Sequence, residues 1–220
     1  MLLKLFTFLL PWPLRRRALQ SWFGYRIHPS ARIGLSWIFP GHLVMDEGAR
    51  IGHLNVAVNL DRIEMGTKAS IGRGNWITGF STKTASKHFS HQPARQAALI
   101  IGEHTAITKK HHLDCTSLIT IGAFSTVAGY GSQFLTHGID VIENRQDSAP
   151  IIIGAYTFVG TDVVILGGAV LPARCVLGAK SLLNKNYTES GMLYGGVPAK
   201  PIKRIADDGK YFTRTEGFVY

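Results

Sequence analysis

The chain has 220 residues, 45% of them hydrophobic, and a formal net charge of +10 at pH 7. That length supports one main domain around one good-sized core, and the apolar share is that of an ordinary soluble globular protein. Two cysteines, Cys115 and Cys175, lie far apart in a chain with no cleavable signal pattern, which excludes a disulfide framework and a CxxC metal site and points to a reducing cytoplasm.

The positive balance implies an anionic partner, yet the basic residues are scattered and no helix-turn-helix, zinc-finger or aromatic RNA-binding signature accompanies them. Coenzyme phosphates or anionic lipid headgroups are therefore expected as partners, and nucleic acid is not.

The opening stretch, MLLKLFTFLL, is strongly apolar but far short of the roughly 20 residues that cross a bilayer. Pro11, Trp12 and Pro13 follow, then Arg15, Arg16 and Arg17, the reverse of a secretory signal's charge order and without its small-residue cleavage site. Residues 1–26 thus form an apolar, basic segment with a short helix. Two readings stand side by side: a peripheral membrane contact through residues 1–17, with Trp12 at the acyl boundary and the arginines on headgroups, or a helix closing the end of the core.

From Ile33 onward, aliphatic-glycine pairs recur: Ile51-Gly52, Ile71-Gly72, Ile101-Gly102, Ile121-Gly122, Ile153-Gly154, Val159-Gly160 and Leu177-Gly178. The clearest stretch, IGAYTF-VGTDVV-ILGGAV-LPARCV-LGAKSL, places an aliphatic every sixth position. Neither a simple strand nor a helix has that period; short strands joined by tight corners do. Three units close a triangular coil, so Ile153 stacks on Leu171, Val159 on Leu177 and Ile165 on Leu183, with side chains pointing inward. Glycine after each aliphatic is expected to serve corners that need positive φ. The beat runs earlier through Phe39, Met45, Ile51, a weak Ala57, Met65, Ile71, Ile77, Ile101, Ile107 and Leu113. Cys175 falls on a small core position and reads as a buried thiol.

The rhythm breaks at residues 81–98 and 133–150, which are expected to be loops thrown out of the coils, where repeat proteins place binding and chemistry. The first carries SKHFSHQPARQ, with His88, His91 and Arg95, suited to recognising a sugar or anionic glycolipid and equally compatible with a plain surface loop. The solenoid is assigned to residues 27–186 and a C-terminal tail to 187–220.

The six-residue repeat, the loop bearing THGID, the following PIIIGAYTFVG and the GGVPAKPIKR tail together resemble the hexapeptide-repeat acetyltransferases, the group of galactoside, maltose and many polysaccharide O-acetyltransferases. The resemblance spans roughly residues 30 to 205 and is densest from 100 onward. The loop histidine with the VPAK tail is its specific part. It implies an all-β, left-handed parallel β-helix, a handedness contrary to the usual crossover rule, and a homotrimer with active sites between subunits. It also implies acetyl-CoA as co-substrate, no metal, and direct attack without an acyl-enzyme.

Under that resemblance His137 is the general base, a role suited to an imidazole titrating near neutral pH. The polar partner that family members place about a coil earlier, often Asn, falls at KKHHLDC, where Lys110, His111, His112 and Asp114 compete. His112 and Asp114 are carried forward as catalytic candidates, although Asp114 reads equally as a solvated carboxylate. The coenzyme positions map onto Thr161, Ala179, Asn184, Lys185, Lys200 and Lys203: small residues leave room for pantetheine, and lysines suit its phosphates.

A carbonic-anhydrase-type hydratase uses the same kind of solenoid but needs three converging ligands, and no histidine follows His137. A non-catalytic scaffold, or an adaptor recruited to a membrane, is the reading from another class. Transfer to an amine would use the same base and coenzyme site.

Overall fold

The computed structural model describes residues 2–219, so the first residue of the N-terminal segment and the last of the tail lie outside it. Between them the chain winds into a left-handed parallel β-helix of triangular section. Its first sheet stacks the strands Arg26–Ile27, His42–Met45, Arg62–Met65, Ala98–Ile101, Ile119–Ile121, Ile151–Ile153 and Val170–Leu171. The second runs from Arg32–Ile33 up to Val176–Leu177, and the third from Trp37–Ile38 up to Leu182–Leu183.

Each short strand turns one aliphatic inward, and these stack in register from coil to coil. Ile153 lies on Leu171, Val159 on Leu177 and Ile165 on Leu183, as the repeat predicts. Ala57, where the beat weakens, is nonetheless a ladder position between Ile38 and Ile77 and is fully buried. The beat expected at Phe39 falls one residue earlier, on Ile38, because Phe39 joins Trp37 and Phe23 in an aromatic cluster.

The expected role of the glycines is corrected. The glycines of the aliphatic-glycine pairs do not adopt positive φ. They sit where the next coil's backbone passes: a Cβ on Gly72 would lie 1.9 Å from the Thr108 carbonyl oxygen, and one on Gly52 2.2 Å from that of Gly72. Positive φ falls two residues later and mostly on side-chain-bearing residues, among them Leu54, His104, Phe124, Tyr156, Asp162 and Lys180. Those corners are held by backbone bonds running up the coils, such as His104 N–H to Thr67 O (2.8 Å) and Tyr156 N–H to Ala123 O (2.8 Å).

The corner between the second and third sheets carries a buried polar ladder. Asn55 Oδ1 accepts from the Asn75 N–H, Asn75 Oδ1 from the His111 N–H, and His111 Nδ1 from the Ser132 N–H. The Asn55 and Asn75 amide groups also donate to the carbonyls of Gly72 and Thr108, and His111 Nε2 meets Thr108 Oγ1, so the buried polar atoms of the corner are satisfied.

Two helices precede the first coil, α1 (Leu2–Leu9) and α2 (Trp12–Phe23). Helix α2 closes the core: Leu19 is buried within it and Trp12 packs on it. Buried Arg15 donates to the carbonyls of Gly34 (2.9 Å) and Ser36 (2.7 Å), and Arg16 to that of Ile27. Of the residues expected at a membrane surface, Trp12, Arg15 and Arg16 are therefore spent on the solenoid, and Arg17 is exposed. Helix α1 leaves Leu2 (82%) and Leu9 (81%) open to solvent, with Leu3, Leu5 and Phe6 also exposed. No helix among the described residues is long and apolar enough to cross a membrane.

Two boundaries move. Gln133–Leu135 is a strand of the third sheet with Phe134 fully buried, so the second insertion begins at residue 136, not 133. The solenoid also outlasts residue 186, because Met192–Gly196 extends the second sheet beside Val176–Leu177 and folds back antiparallel through Ala199–Arg204. A cis peptide joins Val197 to Pro198 at the tip of that hairpin.

The close approach of coils sets a clear expectation. Gly72→Ala should destabilise the fold by about 3 kcal/mol or more through backbone overlap, whereas Leu54→Gly, at an exposed position with φ near 60°, should stabilise it by about 0.5 kcal/mol. Thermal unfolding followed by circular dichroism reads both shifts.

Candidate active site

Both insertions leave the helix at the same corner, between the third and first sheets: residues 79–97 after the strand Trp76–Thr78, and residues 136–150 after Gln133–Leu135. The second folds into an antiparallel hairpin, His137–Asp140 with Arg145–Ser148. Its cross-strand pairs set His137, Ile139, Gln146 and Ser148 on one face.

His137 stands at the root of this hairpin, one coil above Asp114. Asp114 ends the strand His112–Asp114 and lies beside Leu135 in register. Its side chain is 6% exposed and that of His137 43%. The Asp114 Oδ2 accepts from His137 Nδ1 at 2.6 Å and from the backbone N–H groups of Thr136 (3.1 Å) and His137 (3.2 Å). Its Oδ1 accepts from the Thr116 N–H (3.1 Å) and hydroxyl (2.7 Å).

Burial alone would raise the Asp114 carboxyl, but the hydrogen bonds from His137 and Thr116 outweigh it and hold the group below the usual carboxylate range. The hydrogen bond to Asp114 in turn raises the His137 pKa above its ordinary 6.5, against burial and the charge of Arg95. With Nδ1–H held by Asp114, the neutral imidazole carries its lone pair on Nε2, which makes no hydrogen bond among the described residues. That is the arrangement of an oriented general base. A pocket of about 470 Å³ opens at His137, walled by Thr136, Ile139, Asp147, Leu166 and Gly167.

Of the four candidates at KKHHLDC, the structure brings Asp114 alone to His137. His111 is buried in the corner ladder, where desolvation pushes its pKa down to about 4. It accepts at Nδ1 from the Ser132 N–H, which leaves Nε2 as the protonated nitrogen that donates to Thr108 Oγ1. His112 lies two residues before Asp114 in the third sheet, between Trp76 and Gln133, and makes no hydrogen bond to His137 or Asp114. Lys110 occupies a left-handed corner.

Arg95 does not reach outward to a ligand, as the loop's composition suggested. It turns in, donating to the carbonyls of Phe80 and Thr116 and lying over the Phe89 ring. Phe89 meets His137 edge to face at 6.3 Å between centroids. Thr116, Thr136 and Phe89 were not legible as site residues: two are small hydroxyls among many, and one is a loop aromatic. Asp-x-Thr beside a suspected base was the available signal for Thr116.

Among the described residues, no three His, Cys, Asp or Glu side chains gather as metal ligands. Cys115 and Cys175 are both buried, and desolvation raises their pKa values, which leaves them inert as nucleophiles.

No family model and no curated protein sequence matches the chain. Among solved structures it is similar to the polysialic acid O-acetyltransferase OatWY, with a TM-score of 0.54 at 17% identity over 82% of this chain and 84% of that one. A point mutant of AntD, an N-acyltransferase from Bacillus cereus, in complex with dTDP and coenzyme A, superposes with a TM-score of 0.52 at 14% identity over 80% and 83%. The likeness is one of fold, a left-handed parallel β-helix. A hexapeptide-repeat-containing acetyltransferase from Vibrio cholerae aligns over 93% of this chain and 88% of its own, at 20% identity and a TM-score of 0.49.

On this hexapeptide-repeat fold the mapped coenzyme positions divide between two corners flanking the third sheet. Thr161 and Ala179 adjoin at the corner with the second sheet, where Lys180 N–H donates to the Thr161 carbonyl, and Lys200 pairs with Gly195 in the neighbouring hairpin. Asn184 and Lys185 lie at the corner that bears His137, with the Lys185 carbonyl accepting from Val170 N–H. Lys203 pairs with Leu193 farther along the tail strand. Within one chain these residues do not converge on His137.

The ion pair predicts a specific titration. In a histidine-resolved NMR titration, His137 should protonate above pH 6.5. In Asp114→Asn, with the carboxylate removed, its midpoint should fall; an unchanged midpoint contradicts the coupling.

Proposed function

We propose that this protein is an O-acetyltransferase that moves an acetyl group from acetyl-CoA to a hydroxyl of a sugar or glycolipid in cell-surface polysaccharide synthesis. The observation that carries this reading is His137, held by the buried Asp114 at the mouth of a pocket, on a fold whose solved neighbours are named as acyltransferases. A scaffold has no use for a histidine oriented by a carboxylate that itself accepts five further protein hydrogen-bond donors.

In this reading Asp114 fixes the tautomer of His137 and stabilises the imidazolium as it forms. Nε2 takes the proton of the acceptor hydroxyl as its oxygen attacks the thioester carbonyl. The tetrahedral intermediate collapses, the carbon–sulfur bond breaks, and the departing thiolate recovers the proton from His137. His112 has no place in these steps. Thr161, Ala179, Asn184, Lys185, Lys200 and Lys203 are proposed as coenzyme contacts. Their division between two corners is accommodated if neighbouring subunits of a homotrimer supply different parts of each site. An amine acceptor is the second reading, favoured by the likeness to an N-acyltransferase.

The same proposal places the enzyme in the cytoplasm, in peripheral contact with the inner face of the membrane. Support for the contact is the open apolar side of α1, with Leu2 and Leu9 the most exposed of its residues, beside the free Arg17.

The deciding assay is thiol release from acetyl-CoA with sugar, amino-sugar, nucleotide-sugar and lipid-linked acceptors. His137→Ala should lower acceptor-dependent turnover by about 10²–10⁴-fold. Since only the neutral imidazole accepts a proton, kcat/KM should rise with pH through a midpoint above 6.5. Absence of coenzyme binding would favour the scaffold. For the membrane contact, the full chain should cosediment with phosphatidylglycerol vesicles and the Leu2→Glu/Leu9→Glu variant should not; equal binding by both removes the contact.

A further inference from the structure

The two insertions are built against each other. Gln92, in the first, donates to Asp147 Oδ1 (2.7 Å) and the Ser148 carbonyl (2.8 Å) of the hairpin, and its Oε1 accepts from the Ser148 hydroxyl (2.7 Å). His91 adds a contact to Asp147 at 3.5 Å. The first loop is also tied down at both ends. Asp61 accepts from the Ser81 hydroxyl and from the Thr82 N–H and hydroxyl, while Arg95 grips the carbonyls of Phe80 and Thr116.

Between the docked loops runs a cleft of about 440 Å³. Ile139 and Gln146, on the hairpin face that carries His137, line it with Phe89, whose ring meets His137 edge to face, while Arg145, which pairs with Asp140 on the hairpin's other face, lines it beside Asn144 at the turn. Its remaining walls bring Lys87, His88, His91 and Arg145 together, and no carboxylate lines it.

Among the described residues, neither permanent cation, Lys87 or Arg145, has an ion-pair partner. The hairpin's carboxylates, Asp140, Glu143 and Asp147, form no ion pair with either cation among the described residues. Asp140, opposite Arg145 in the hairpin, accepts from the backbone N–H groups of Ile142 and Glu143, and Asp147 faces Gln92 and His91. A lysine and an arginine that line one concave site without an ion-pair partner repel each other and are relieved by a bound oxyanion.

We propose that the cleft between the two loops binds the anionic group of the acceptor, the carboxylate or phosphate of an acidic sugar, and so presents a neighbouring hydroxyl to His137. The assignment rests on the acyl-transfer reading for its purpose, but the binding it requires is independent of turnover. Arg145 supplies a planar fork for the oxyanion, Lys87 a point charge from the opposite wall, and Phe89 an apolar surface for the sugar ring between anion and base.

The probes are trigalacturonate, its methyl ester and glucose 1-phosphate, titrated by calorimetry into the full-length protein without acetyl-CoA. Trigalacturonate or glucose 1-phosphate should bind, and which of them binds identifies the source of the oxyanion. The ester should bind at least about tenfold more weakly than the acid. Lys87→Gln/Arg145→Gln should lose about tenfold in affinity for the anion, with affinity for acetyl-CoA and the circular dichroism spectrum unchanged. Equal binding of acid and ester, no binding of either anion, or undiminished binding by the double variant overturns the assignment. Should anion binding depend on the two cations while no acceptor is acetylated, the cleft stands and the transferase reading falls. His137-dependent transfer to neutral sugars, undiminished in the double variant, gives the reverse.

Discussion

The spacing of one coil on the next governs everything else in this molecule. Parallel strands stack about 4.8 Å apart, and that distance holds at the corners only because glycine stands wherever a Cβ would strike the next backbone, as at Gly52 and Gly72. The inward apolar side chains then meet in register, from Ile27 and Met45 at the base to Leu177 and the Tyr194 ring at the top. A core assembled this way is rigid along its axis, and a chain segment can leave it only at a corner.

The functional surface follows from that restriction. Both insertions depart from one corner, so they emerge on the same edge of the prism and dock through Gln92. Asp114 is a coil residue and His137 a loop residue. The carboxylate is fixed by the solenoid, and the loop is fixed by the carboxylate, through the Thr136 and His137 N–H groups as well as the imidazole. Burying Asp114 carries a desolvation cost that six donor groups offset, and the result is a charged group that stays charged beside the base it orients.

The ends of the prism are handled differently. At the start, α2 inserts Leu19 and uses Arg15 and Arg16 on carbonyls of the first coils. At the other end the Met192–Gly196 and Ala199–Arg204 hairpin continues the second sheet and caps it with an antiparallel strand, while Arg214 returns to the Phe124 carbonyl and the Tyr211 ring. Open solenoid ends are exposed sheet edges, and covering them removes a site for edge-to-edge association.

By itself the sequence determined the six-residue beat, the triangular coil, the stacked pairs at Ile153, Val159 and Ile165, the two insertions and the loop histidine, because each is a matter of spacing along the chain. It misplaced the reason for the glycines, since a steric overlap between residues 36 apart, as at Gly72 and Thr108, has no local signature. It could not choose among Lys110, His111, His112 and Asp114, because which of these neighbouring polar residues meets a loop residue more than a coil later has no local signature. Folding settles that choice by sending His111 into a dry ladder and Asp114 out to His137. The same is true of Arg95 and of the charged cleft: composition announced basic residues in a loop, but which are buried on carbonyls and which stand unpaired is decided by contacts between two distant insertions, and those exist only in the folded chain.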